Sequence, residues 1–261
     1  MKVKELVKQL DQLSPTSYAC SWDNVGLLVG RMEQEVHKII VTLDVTNEVV
    51  ERAKEERADL IISHHPLIFS NMKRINDETV LGRKLLTLME EKIACYAMHT
   101  NFDIMGGMAQ LAEQMLELQN AVPLEVTKEE DGTVEGIGRV GTIKEPMTLK
   151  QCAEFVKDKF QIDKVALFGE EDTIVKKIAV CPGSGKGMAK EAIKKGADVL
   201  ITGDLGHHDG IDALEEGLSM IDAGHYGLEH IFTEFIINYV KEQNSDLIVE
   251  AVDSKCPFHI I

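Results

Sequence analysis

One segment of the chain occurs twice. Residues 38–62 align without gaps on residues 177–201, and the alignment pairs Ala58-Asp59 with Ala197-Asp198 and Ile62 with Ile201. Each copy has the pattern of a strand, a helix and a second strand, and such a unit favours a parallel sheet covered by helices. The repeat therefore predicts two related α/β halves, whose strand ends we expect to face a shared cleft.

Apolar periodicity places the other elements. The spacing of leucines and valines predicts a helix over Val3–Leu13. Within the first repeat, the pattern predicts a strand over His37–Val45, a helix over Asn47–Arg57 with Thr46 as its N-cap, and a strand over Asp59–Ser63. A further helix over Met147–Phe160, capped by Thr148, begins the second half.

The segment Thr127–Glu145 is rich in glycine and charge, which indicates a boundary near residue 125. We expect a first α/β domain over 1–125 and a second over 126–261, with the C-terminal segment free to pack back on the first. The first domain contains His64, His65 and Asp103, and the second contains His225 and Glu229.

Composition narrows the class of protein. The 261 residues are 44% hydrophobic and 28% charged, as in a soluble globular protein, and the formal charge of −16 argues against binding to nucleic-acid backbones. No stretch approaches the ~20 apolar residues of a membrane span, and the N-terminus lacks a secretory pattern. The five widely spaced cysteines without CxxC indicate reduced thiols. A cytoplasmic location is expected.

Metal-ligating side chains follow three apolar runs. The segments concerned are Ser63-His64-His65-Pro66, His99-Thr100-Asn101-Phe102-Asp103 and Gly224-His225-Tyr226-Gly227-Leu228-Glu229. In open α/β sheets, sites form outside the carboxyl ends of the strands. The three segments therefore predict one metal site.

Imidazole and carboxylate donors without thiolate suit iron, manganese, zinc, nickel or cobalt. Neighbouring side chains of an extended segment point to opposite sides, so His64 and His65 are poorly placed to chelate one ion but could bracket two. If the chain is helical from Tyr226, His225 and Glu229 lie one turn apart on one face. Asp103 is a candidate bridge between two ions.

Several residues allow two interpretations. His99 is either a ligand or a residue that orients a ligand by a hydrogen bond. The segment Gly203–Asp209 either lines the cleft or is a solvated loop, and Trp22 belongs either to a packed turn or to the cleft rim. The loop Gly183–Gly187 lacks the GxxxxGK[ST] spacing of an ATPase. Because an imidazole titrates near neutral pH, His99 and His208 are the candidate proton donors.

Motifs along nearly the whole chain resemble one protein family. They are Ser21–Gly30, Ser63–Pro66, His99–Asp103, Gly136–Gly141, Thr202–Asp204 and Gly224–Glu229. Together they resemble the GTP cyclohydrolase 1 type 2 homologue family, also called Nif-three-like or YbgI-like proteins.

The resemblance implies two similar three-layer α/β/α domains, a toroidal homohexamer and a dinuclear metal site in each subunit. It places the ligand positions on His64, His65, Asp103, His225 and Glu229. The family name implies opening of the GTP imidazole ring to give a dihydropterin triphosphate and formate. The segment Thr127–Glu145 is too short for the extra domain that some members carry.

Two functions follow from these residues. The first is a metal-dependent hydrolase whose metal-bridging hydroxide attacks a small nucleotide-like or heterocyclic substrate. The second is a non-catalytic scaffold for metal storage, delivery or regulation, to which the net charge of −16 would attract cations. A third interpretation is a metal-free α/β protein with histidines in its loops.

Overall fold

Two compact units make up the chain. The computed structural model describes residues 1–130 and 132–258. Unit 1 comprises Met1–Phe102 together with the segment from Phe232 onward, and unit 2 comprises Asp103–Ile231. The boundary that we expected near residue 125 falls inside a strand of unit 2.

Unit 1 is a mainly parallel sheet with helices packed on it. Its strands are β1 (Gly26–Val29), β2 (Lys38–Thr42), β3 (Leu60–Ser63), β4 (Ala94–Ala97) and β11 (Ile248–Ala251), in the order β1-β4-β3-β2-β11. Only the β1 pairing is antiparallel. The helices are α1 (Val3–Leu13), α2 (Asn47–Glu55), α3 (Val80–Glu90), α4 (Thr100–Ile104), which runs into unit 2, and α10 (Ile231–Gln243), which starts there.

Helices α2 and α3 cover one face of this sheet. Val49 and Leu85 from these helices pack with Ile40, Ile61 and Cys95 from the strands in one buried cluster. Their strand neighbours point to the opposite face and are also buried, as every residue of β3 and β4 is. Burial on both faces explains the continuous apolar runs of the sequence.

Unit 2 has a mixed sheet between two helical layers. Its strands are β5 (Gln119–Glu130), β6 (Thr133–Thr148), β7 (Ala166–Phe168), β8 (Ile174–Ser184), β9 (Val199–Gly203) and β10 (Ser219–Asp222), in the order β5-β6-β8-β9-β10-β7. The helices are α5 (Met108–Met115), α6 (Leu149–Phe160), α7 (Met188–Lys194), α8 (His207–Glu215) and α9 (His225–Glu229). Helix α6 packs on one face, and α7 and α8 pack on the other.

The internal repeat is visible in the strand register. Ile39 pairs with Leu60 in unit 1, and their aligned counterparts Ile178 and Val199 pair in unit 2. Both units continue the pattern, since β3 pairs with β4 as β9 does with β10, and an antiparallel strand follows. They diverge beyond β2 and β8, where unit 1 adds β11 and unit 2 adds β6. The mixed α/β fold with two related sheets is confirmed.

In each repeat, an aspartate just before the second strand accepts hydrogen bonds from backbone N–H groups next to the point where the first strand begins its parallel pairing. Asp59 Oδ2 accepts hydrogen bonds from the backbone N–H of His37 and Lys38, at 2.7 and 3.0 Å. The aligned Asp198 accepts from Lys176 and Lys177 at 2.8 and 2.7 Å. These bonds fix where the parallel pairing begins.

We expect Asp198→Ala to lower the free energy of unfolding by about 1–3 kcal/mol, because two backbone N–H groups lose their acceptor. Urea denaturation followed by circular dichroism measures the change. Asp163→Ala is the control, because Asp163 is exposed in the same unit. Equal stability of the two variants would contradict the prediction.

Candidate metal centre

His64 and His65 follow directly on β3, and the backbone holds both. His64 N donates to Thr42 O at 3.2 Å and His65 N donates to Leu43 O at 2.9 Å, which continues the parallel pairing past the end of the strand. Ser63 Oγ donates to His65 O at 2.9 Å. The apolar strand therefore ends in a fixed pair of imidazoles.

The structure brings His99 to this pair. Each of His64, His65 and His99 offers a ring nitrogen within 4.8 Å of those of the other two, and such a group can hold a metal ion. The ring centroid of His64 lies 5.0 Å from that of His65 and 5.3 Å from that of His99. His64 is fully buried against Phe102 and Phe232, so its ring has little freedom.

The three imidazoles share one hydrogen-bonding pattern. Nδ1 of His64 contacts Met98 O at 2.7 Å, Nδ1 of His65 contacts Asp44 Oδ1 at 2.9 Å, and Nδ1 of His99 contacts Asp23 Oδ1 at 3.0 Å. A carbonyl or carboxylate oxygen can only accept, so each Nδ1 carries the proton in the bond. In the neutral ring the lone pair then lies on Nε2. This tautomer of the imidazole binds metal ions through Nε2.

Unit 2 has a similar pair on α9. His225 and Glu229 lie one helical turn apart, as expected from their spacing, and His225 Nε2 is 3.0 Å from Glu229 Oε2. His225 Nδ1 contacts Asp204 Oδ2 at 2.8 Å, which repeats the pattern of unit 1. Glu229 is 3% exposed. A carboxylate and an oriented imidazole are therefore held together at the start of a helix.

Two glycines make room for this pair. A Cβ on Gly183 would lie 2.3 Å from Glu229 Oε1, and one on Gly203 would lie 2.4 Å from the backbone N of His225. Gly203 is the residue that aligns with His64 in the repeat. The position that carries an imidazole in unit 1 has no space for one in unit 2, so the two units present different donors.

Asp103 lies on α4 and is half-buried. Burial raises the pKa of the Cys181 thiol on β8, and the charges of Asp103 and Glu229 raise it further. Asp103 and Glu229 therefore both act on the same region of unit 2. Their negative charge favours a cation there.

Asp23 is a buried carboxylate beside His99, and its pKa is strongly perturbed. Its side chain is 0% exposed, and it accepts from Thr100 N at 3.0 Å and Thr100 Oγ1 at 2.5 Å besides its bond with His99. Burial raises the pKa of Asp23, but the hydrogen bonds from His99 and Thr100 together outweigh burial and lower the pKa to about 2. The carboxylate is therefore ionised at neutral pH and holds the His99 ring.

Sequence analysis missed the carboxylates that orient the imidazoles. Asp44 and Asp204 each come just after a buried strand, β2 or β9, and that position was the available signal. Asp23 lies in the Ser21–Gly30 motif, for which the sequence indicated no metal-site role. Since side chain partners depend on tertiary contacts, spacing alone did not pair these residues with their histidines.

His208, the second candidate proton donor, is exposed on α8 with its ring 5.3 Å from that of His207. The segment that contains it is therefore partly helical. Trp22 is 59% exposed, so its side chain is not packed in the interior of the protein as the packed-turn interpretation requires. Cys95, Cys152 and Cys181 are buried, as expected for core thiols.

A cavity of about 440 Å³ lies beside His65 in unit 1. Lys84 and Lys255 line it with Asp44, whose carboxylate also accepts from Ser254 Oγ at 3.3 Å. Lys84 Nζ donates to Val45 O at 2.6 Å, and burial lowers the pKa of its ammonium. The cavity places two cationic side chains close to the imidazole group.

The fold and these groups define a class: an α/β protein whose strand ends present histidines and carboxylates that could hold metal ions. Among residues 1–130 and 132–258, no helix has the length and apolar character needed to cross a bilayer. The chain belongs to the Duf34/NIF3 (NGG1p interacting factor 3) family, whose model matches residues 1–257. The resemblance drawn from the motifs is confirmed.

Relatives and solved structures extend this assignment over the whole chain. A protein of Clostridium perfringens named GTP cyclohydrolase 1 type 2 homolog is 34% identical over 100% of both chains. A solved hypothetical protein of Staphylococcus aureus has a TM-score of 0.87 at 31% identity, covering 100% of this chain and 99% of that one. A Bacillus cereus protein related to NIF3 has a TM-score of 0.93 at 24% identity, covering 100% and 99%, and shows the shared fold.

Proposed function

We propose that the protein is a metal-dependent hydrolase that binds two divalent ions through His64, His65, Asp103, His225 and Glu229. The observation that carries the proposal is the shared state of the imidazoles, since every one in the candidate groups has its Nδ1 engaged by an oxygen atom. This arrangement leaves the lone pair of Nε2 available to coordinate a metal ion. The donors fit iron, manganese, zinc, nickel or cobalt, as the sequence predicted.

Two such ions, when bound, would supply a Lewis acid and would lower the pKa of a bound water molecule to near neutrality. The chain's own residues supply orientation and exclusion of water. Asp44 and Asp204 hold the rings of His65 and His225, and the aromatic side chains of Phe102 and Phe232 exclude water from His64. His99, held by Asp23 at Nδ1, is the proposed proton donor to the leaving group in its doubly protonated form, which donates from Nε2, with His208 as the alternative.

The proposed substrate is a small nucleotide-like or heterocyclic molecule. Two observations support it. The relatives carry the name GTP cyclohydrolase 1 type 2 homolog, and the cavity beside His65 offers Lys84 and Lys255 to an anionic group. An ammonium of lowered pKa in a partly buried place gains from an anionic partner.

The proposal is tested by metal analysis and turnover on one set of samples. Protein purified without added metal or affinity histidines is expected to contain close to two ions per chain by mass spectrometry, and to hydrolyse one of a panel of nucleotides. His65→Ala should lose metal and turnover. His37→Ala is the control, because the His37 side chain is 71% exposed and lies outside the imidazole group.

Near-zero metal in wild-type protein would overturn the proposal. Metal without turnover, and reversible transfer of that metal to an acceptor protein, would replace the hydrolase with a storage or delivery scaffold. The toroidal homohexamer and the cytoplasmic location remain predictions from the motifs, and analytical ultracentrifugation tests the first.

A further inference from the structure

Two large aromatic side chains beside His99 are exposed to solvent. Trp22 is 59% exposed and Phe69 is 56% exposed, and their ring centroids lie 6.0 Å apart. Exposure of single apolar residues is common, but adjacent exposed aromatic rings mark binding surfaces more often. Both rings belong to unit 1.

Hydrogen bonds hold the two rings next to each other. Asn24 Nδ2 donates to Ile68 O at 2.6 Å, so the second residue after Trp22 is bonded to the residue before Phe69. The buried Asp23 fixes the same loop to Thr100. The pair is therefore ordered before any ligand arrives, which reduces the entropy cost of binding.

The ring of His99 meets both aromatic rings edge-on. Its centroid is 6.1 Å from that of Trp22 at an interplanar angle of 75°, and 6.5 Å from that of Phe69 at 71°. The planes of Trp22 and Phe69 are inclined by 54° to each other. A planar ring can lie on the face of one and touch the edge of the other, which is a favoured aromatic geometry.

We propose that Trp22 and Phe69 form the subsite that receives the planar heterocyclic ring of the substrate. The inference rests on the proposed hydrolase function, because it places the ring beside the imidazole group. Stacking on aromatic side chains accepts any base, since every base presents a π-face. The subsite therefore selects for a ring, while the cationic cavity beside His65 suits an anionic group on the same molecule.

Trp22 is the only tryptophan of the chain, so its fluorescence reports on this subsite directly. Guanosine, adenosine and cytidine triphosphates are titrated into wild-type protein, with inorganic triphosphate as the probe that lacks a ring. We expect the nucleotides to quench Trp22 and to bind more tightly than inorganic triphosphate. Calorimetry gives the dissociation constants without requiring turnover.

Phe69→Ala is expected to weaken nucleotide binding about 5- to 100-fold, the loss that corresponds to one stacking contact. It should leave binding of inorganic triphosphate and metal content unchanged. Met32→Ala is the matched control, because Met32 is 46% exposed in the same unit. Asn24→Ala should also weaken nucleotide binding, because it removes the side-chain amide that bonds to Ile68 O. Asn24→Gln keeps an amide group in the side chain and should bind nucleotides more tightly than Asn24→Ala.

Absence of quenching by every nucleotide, with metal bound as expected, would overturn the inference and leave the proposed function standing. Loss of metal from wild-type protein would instead remove the proposed function. If Phe69→Ala changes the mass of the assembly by analytical ultracentrifugation, the aromatic pair is an interface between copies of the chain, and the inference is wrong.

Discussion

Replacing Gly183 by alanine is expected to remove bound metal, while Gly187→Ala leaves the metal content unchanged. Both glycines have positive φ angles, +76° and +90°, so alanine strains the backbone at each, at a cost of about 1–2 kcal/mol. Only at Gly183 does the new methyl group overlap the Glu229 carboxylate, at 2.3 Å from Oε1, while no atom lies within 4 Å at Gly187 among the described residues.

The Glu229 side chain is buried and cannot move toward solvent without disturbing its contact with His225. We therefore expect at least a tenfold loss of metal affinity in Gly183→Ala, the effect typical of a displaced ligand. Metal titration by calorimetry and urea denaturation separate the two effects. Equal metal affinity in the two variants would show that Glu229 does not bind metal.

Asp23→Ala is expected to destabilise the protein at neutral pH by about 2–4 kcal/mol. The buried carboxylate accepts four hydrogen bonds, and its removal leaves His99, Thr100 and the backbone N–H of Asn24 without that acceptor. Because the folded pKa of about 2 lies below the value of 3.8 for an unperturbed aspartate, ionised Asp23 stabilises the folded state above the unfolded pKa.

The sign of this linkage fixes the pH window. The pKa difference corresponds to about 2.4 kcal/mol, which is fully present at neutral pH and is lost as pH falls from about 5 toward 2. The stability difference between wild type and Asp23→Ala should therefore shrink by about half of that amount at pH 3. Urea denaturation from pH 7 to pH 3 measures it, with Asp246→Ala as an exposed control. A difference that is independent of pH would contradict the assigned pKa.

The elements predicted from sequence were those whose residues alternate or repeat in a clear pattern. The helix Val3–Leu13 is found as predicted, and Thr148 caps α6, with Gln151 completing a capping box. The strands of the first repeat are a little shorter than predicted, since β2 ends at Thr42 and not at Val45, and β3 begins at Leu60 and not at Asp59.

The segment Thr127–Glu145 shows where composition misled. Its glycines and charges suggested a domain boundary, but residues 127–130 lie in β5 and residues 133–145 lie in β6, and the two strands form a long antiparallel pair. Gly136 is needed there because a Cβ would lie 1.9 Å from Glu125 O on the partner strand. An exposed pair of strands that carries charged side chains, with a glycine where the two backbones come close together, has the same amino-acid composition as a loop.

The discontinuity of unit 1 has a consequence for synthesis on the ribosome. Strand β11 pairs with β2 in register from Ile248–Lys38 to Ala251–Val41, so one edge of this sheet is supplied by residues translated after all of unit 2. Unit 2 is continuous and can fold while β2 still lacks β11 on its other edge. During that interval the open edge of β2 is a template for wrong pairing, which makes the nascent chain more dependent on chaperones than the finished protein.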